Sequence, residues 1–100
     1  VSVETLVPMV TANPARHMGL TNKGRIAPGA DADITVVDLK KSWTVDASAL
    51  STDCGSSIYE GETMTAKVIH TLSRGRFALR DEALTDSSVG HGRYVQRRMG

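Results

Sequence analysis

Disulfides, bilayer-length apolar runs and an excess of charge are all missing from this chain of 100 residues. Cys54 is the only cysteine, so no internal disulfide can form. It sits among Ser, Thr, Asp and Gly residues that offer nothing to activate a thiolate. No apolar stretch approaches the roughly 20 residues that span a bilayer. The chain opens at Val1 with neither an initiator methionine nor a basic-plus-apolar leader, which predicts a cytoplasmic protein. A formal charge of +1 supplies no concentrated basic face for nucleic acid. There is no internal repeat and no Gly-rich phosphate cradle. The length suits a single domain with one modest core.

Metal ligands are equally sparse. His17, His70 and His91 have neither the i, i+4 spacing nor the Cys/His clustering of a zinc site. They are predicted on a short helix, on a strand and in a flexible tail. Asp31 and Asp33 can be read as metal-binding carboxylates or as turn and strand-opening residues. The second reading is the simpler, because a calcium loop needs many more oxygen ligands. No Ser/His/Asp grouping has the sequence context of a catalytic triad. No catalytic, cofactor-binding or metal-ligating residue is therefore assigned.

What is present is punctuation. Val3, Leu6, Val7 and Val10 share one helix face, with Ser2 or Thr5 available as cap. Pro8 predicts a kink or a later start. Asn13 followed by Pro14 predicts a short helix capped by Asn13, with Gly19 at its end. Pro28-Gly29 reads as a turn. Residues 33–38 and 42–45 read as strands joined by Asp38-Leu39-Lys40-Lys41, with Trp43 anchoring the second. Residues 46–61 form a polar loop that holds one helical turn capped by Asp46. Two apolar runs around Ser73-Arg74-Gly75 predict a hairpin. The expected fold is mainly antiparallel β after a helical segment ending near residue 19. The end of the chain reads as a solvated arm or one lying on another chain.

The run Asn13-Pro14-Ala15-Arg16, Gly19-Leu20 and Lys23-Gly24-Arg25-Ile26-Ala27-Pro28-Gly29-Ala30-Asp31-Ala32-Asp33 resembles the metal-dependent amidohydrolases where their chain leaves the barrel for the small β-domain. Tyr59-Glu60-Gly61, Leu72-Ser73-Arg74-Gly75-Arg76 and Gly90-His91-Gly92-Arg93-Tyr94-Val95-Gln96-Arg97 are similar to the ending of the hydantoinase and dihydropyrimidinase group. The short link Thr21-Asn22 and the segment Ser57-Ile58-Tyr59 depart from that group and keep dihydroorotase and allantoinase in the reading.

The resemblance implies a larger parent protein. Residues 1–20 would be the last helical part of a (β/α)8 barrel, residues 21–80 part of a composite β-sandwich, and residues 81–100 a C-terminal arm. It implies two divalent metals in the parent, usually zinc, that generate hydroxide and open a cyclic amide. The family's metal ligands lie on barrel strands, so this segment would contribute none and be inactive alone. The implied partners are the rest of the parent chain, a small cyclic amide substrate and further copies in a homo-oligomer, the arm serving that assembly. No nucleic acid or membrane is implied. Two non-enzymatic alternatives are a dihydropyrimidinase-related scaffold protein and an independent β-module, the latter disfavoured by the unpaired strand edges it would carry.

Overall fold

The computed structural model describes residues 1–50 and 54–98. Helix α1 spans Val3–Val10, and the Ser2 side chain accepts a hydrogen bond from the Thr5 amide at 3.3 Å. Ser2, not Thr5, is thus the cap, and its oxygen satisfies one of the orphan amides of the first turn. Pro8 lies inside the helix, so the start is not delayed. The break comes at Thr11, whose hydroxyl donates to the Val7 carbonyl at 2.7 Å.

Helix α2, Ala12–His17, corrects one expectation. Asn13 does not cap it. The helix starts two residues earlier, with Thr11 in the cap position and its carbonyl accepting from Ala15 N–H at 3.1 Å. Asn13 Oδ1 instead accepts from Arg16 Nη2 at 3.1 Å. Pro14 still falls in the first turn, where its missing N–H has no intrahelical partner to lose. The predicted stop at Gly19 is present: Gly19 N–H donates to Arg16 O, and Leu20 N–H reaches back to Ala15 O at 2.8 Å. That crossed pair is a Schellman motif, and Gly19 adopts its left-handed conformation with φ +72°.

The Pro28-Gly29 turn closes with Ala30 N–H on Ala27 O at 3.0 Å. Strand β1, Ile34–Asp38, follows. Strand β2, Trp43–Thr44, belongs to a different sheet and pairs antiparallel with β3, Thr63–Met64. The Trp43 indole N–H donates to Ala66 O at 2.8 Å, which gives this half-buried side chain a polar partner as well as packing. Between β2 and β3, Asp46 caps a 3-10 turn at Ala47–Ala49, as predicted, by accepting from Ser48 N–H at 3.0 Å.

Strands β4 (Lys67–Ser73) and β5 (Arg76–Arg80) form the predicted hairpin. Its two-residue turn, Arg74-Gly75, has φ values of +44° and +82°, the primed geometry that suits the twist of paired strands. The four-stranded sheet has the order β1-β4-β5-β6 with every pairing antiparallel. In the β1–β4 pairing Val36 faces His70, and the register slips by a bulge before Val37 meets Val68.

Strand β6, Ala83–Leu84, was not predicted. The expected boundary after residue 80 falls inside a second hairpin, because Asp81-Glu82 turns the chain back onto β5. The chain stays bonded to β5 beyond β6, where the Thr85 amide donates to Ala78 O at 3.0 Å and the Ser87 hydroxyl donates to Phe77 O at 2.5 Å. Among the described residues only Ala15, Val45 and Ala47 are buried apolar side chains. The apolar face of α1 and the β1 valines stay open, in keeping with a layer that closes against more protein.

Candidate functional site

The chemistry-bearing side chains gather where the chain enters β1. Lys23 Nζ contacts Asp31 Oδ2 at 2.9 Å and also bonds Asp33 Oδ2. The second oxygen of Asp33 accepts from Arg74 N–H at 2.8 Å, and Gly75 N–H donates to Ala32 O at 3.0 Å. The tip of the β4–β5 hairpin is thereby fastened to the head of β1. Arg74 continues the chain of contacts, its guanidinium donating to the His91 carbonyl.

Beside this cluster is an open cleft of about 670 Å³, lined by Lys23, Asp33, Thr35, Thr71, Arg74 and Tyr94 among others. Its electrostatics favour permanent charge. The hydrogen bond to Asp33, then that to Asp31, holds the Lys23 ammonium above its ordinary pKa. The Lys23 bond, with the Arg74 amide second among the lowering contacts, holds the Asp33 carboxyl below its ordinary value. A lysine kept protonated is no nucleophile, and a carboxylate kept ionised is no general acid. This arrangement joins segments of chain. It gives Asp31 and Asp33 the structural reading, with a lysine between them where a cation would otherwise sit.

The three histidines occupy separate elements, as predicted. His17 ends α2 and is exposed. His70 lies on β4, where its Nδ1 accepts from Asp81 N–H at 3.1 Å. His91 is in the arm, with its Nε2 enclosed and unbonded. Among the described residues no group of three or more His, Cys, Asp or Glu side chains could hold a metal ion. Cys54 is exposed, and its thiol pKa is lowered by the Ser56 hydroxyl 3.4 Å away and then by the Ser56 amide. The composition around Cys54 did not disclose that contact. Among the described residues no helix is long and apolar enough to cross a membrane.

Sequence reasoning missed a second charged cluster. Glu82 accepts from Lys41 and lies 2.8 Å from Lys67 Nζ, which in turn stands 5.1 Å from the Trp43 ring centre. Three segments far apart in the chain meet there, and no local pattern announces them. The two ammonium groups, Lys41 first, pull the Glu82 carboxyl from 4.5 down to about 2. A depressed folded-state pKa means the contribution to stability is complete above pH 4.5 and is lost as pH falls through about 2. The stability difference between the native protein and Glu82→Gln is therefore expected to be constant above pH 5 and to shrink toward pH 2. Paired urea titrations across that range check it; a constant difference down to pH 2 would mean that the ion pairs contribute nothing.

The arm does not run free over the described residues. Besides the Arg74 contact at His91, Arg98 N–H donates to Gly19 O at 2.8 Å. A Cβ at Gly19 would stand 2.0 Å from the Arg98 carbonyl oxygen, so the arm is seated on a position that only glycine can fill. Tyr94 remains almost fully exposed on the strap between these tethers.

Comparison with known proteins places this geometry. The profile described as "Amidohydrolase family" matches residues 1–78. Dihydroorotase from Methanothermobacter thermautotrophicus is 37% identical over 94 residues, covering 94% of this chain and 21% of the relative. D-phenylhydantoinase from Escherichia coli is 34% identical over 99 residues, covering 98% of this chain and 21% of that protein. The crystal structure of dihydropyrimidinase from Brevibacillus agri NCHU1002 superposes with a TM-score of 0.89 at 32% identity, over 97% of this chain and 21% of that one. The chain thus spans about a fifth of the length of these relatives.

Proposed function

Since this chain belongs to the amidohydrolase family, we propose that it is the C-terminal structural portion of a hydrolase that opens cyclic amides, of the hydantoinase or dihydropyrimidinase kind. Dihydroorotase and allantoinase activities are the near alternatives. The observation that carries the reading is the superposition of nearly the whole chain, helices and sheet together, on a dihydropyrimidinase. In this reading residues 1–20 close a (β/α)8 barrel, the strands through Leu84 form part of a composite β-sandwich, and the remainder is an arm.

The reaction would add water across the ring C–N bond: oxygen joins the carbonyl carbon, and the departing nitrogen takes a proton. The family's two divalent ions, usually zinc, would supply the hydroxide when bound. The residues of this segment do not fit that centre, because its histidines are dispersed over α2, β4 and the arm and Lys23 is held between two carboxylates. Its own residues instead fasten the helical segment, the sheet and the arm to one another. The working protein is read as a cytoplasmic homo-oligomer with a small-molecule substrate and no nucleic acid or membrane partner. Exposed Tyr94 and its neighbouring arginines offer residue types that anchor interfaces.

The test is to purify the full-length protein and assay hydantoin, dihydrouracil, dihydroorotate and allantoin alongside metal analysis and solution mass. The expected result is turnover of at least one ring by an oligomer with about two metal ions per chain, abolished by a chelator, and no turnover by residues 1–100 alone. A full-length protein without metal or turnover would sink the enzyme reading and leave the scaffold.

A further inference from the structure

We propose that His70 is a protonation-dependent latch on the Asp81-Glu82 turn, which the neutral imidazole holds and the imidazolium releases. The turn is strained: Asp81 and Glu82 have φ of +50° and +67°, and neither is glycine. Asp tolerates that region better than Glu, so an outside hold is required. Two hydrogen bonds from its backbone amides provide it. Glu82 N–H donates to Ile69 O at 2.9 Å, and Asp81 N–H donates to His70 Nδ1 at 3.1 Å.

The second bond exists only while Nδ1 keeps its lone pair. A proton there converts the acceptor into a donor and leaves Asp81 N–H facing another donor. Nε2 carries its hydrogen in both forms of the ring and lies 3.7 Å from Asp81 Oδ1, so the positive charge strengthens that attraction. Protonation therefore removes the bond that fixes the backbone while strengthening a contact that fixes only a side chain. An edge contact with Phe77, ring centres 5.8 Å apart, keeps the imidazole in place through the change.

The surrounding charges leave the switch to His70. Lys41, from the segment after β1, and Lys67 of β4 are both bound by Glu82. Arg80 of β5 lies over Phe77, its guanidinium carbon 4.9 Å from the ring centre. On β1 the residue facing His70 is the uncharged Val36. Glu82, held to about 2, stays ionised between pH 5 and 8, where imidazoles change charge.

Hydrogen–deuterium exchange on the full-length protein, read on the peptide covering residues 78–85 and corrected for intrinsic rates, tests the latch. Protection is expected to fall about fivefold between pH 8 and pH 5.5, the worth of one hydrogen bond, while a peptide across residues 72–77 stays unchanged. His70→Gln, whose amide oxygen can accept at any pH, is expected to flatten the profile. A flat profile in the native protein overturns the proposal without recourse to the variant. A drop of equal size in H70Q, or an equal drop at residues 72–77, overturns it as well.

Discussion

Gly19→Ala in the full-length protein is expected to cost about 2–3 kcal/mol and to detach the segment around Arg98 that is seated on it. Two separate effects add. A side chain in the left-handed region costs about 1–2 kcal/mol. The new Cβ would also stand 2.0 Å from the Arg98 carbonyl oxygen, so the Arg98–Gly19 hydrogen bond must be given up, at about 1 kcal/mol more. Gly29→Ala separates the two, because Gly29 shares the backbone conformation, with φ +86°, but has open space where its Cβ would go. Urea unfolding of both variants, with trypsin cleavage at Arg97 as a local probe, should show G19A the less stable and the faster cut. Equal cleavage in the two would mean that the arm is not seated on Gly19.

Trp43→Ala is expected to cost about 2–4 kcal/mol, somewhat less than the truncation of a fully buried tryptophan. The indole is half-buried, spans β2 and the segment leading to β4, and carries the Lys67 ammonium on its face. Its removal leaves the Ala66 carbonyl without its donor and Lys67 without its ring. Trp43→Phe retains the ring and loses the N–H, so about 1 kcal/mol of the damage should remain. Chemical denaturation of the two variants distinguishes them. If F and A at this position were equally destabilising, the hydrogen bond rather than the packed ring would be what matters.

Signals confined to a few neighbouring residues were legible in the chain. Ser2 and Asp46 cap, Gly19 stops α2, Pro28-Gly29 turns, and Arg74-Gly75 reverses β4 into β5, each through chemistry contained in a handful of positions. Strands β3 and β6 were not, since two residues carry no alternation to read and exist only through their partners. Asn13 misled because its cap preference competed with a turn that Thr11 had already closed. The same boundary holds for the candidate site. Asp33 was legible as a strand-opening residue, but its bond to an amide 41 positions away was not. Membership of the amidohydrolases was legible because its motifs are themselves short local runs around those turns.

The strand order also sets a sequence of events in time. Strands β4, β5 and β6 are joined by two tight turns, and hairpins of this kind close within roughly 1–10 μs. Strand β1 is expected to reach β4 later, because the intervening chain, with β2, β3 and the polar loop, must first be enclosed at a cost in closure entropy. Until then the long flank of β4 from Lys67 to Ser73 shows unpaired amides and carbonyls to any chain that passes. Aggregation during refolding should therefore respond to how quickly β1 arrives, and so to the Lys23, Asp33 and Arg74 contacts that hold its head against the hairpin tip.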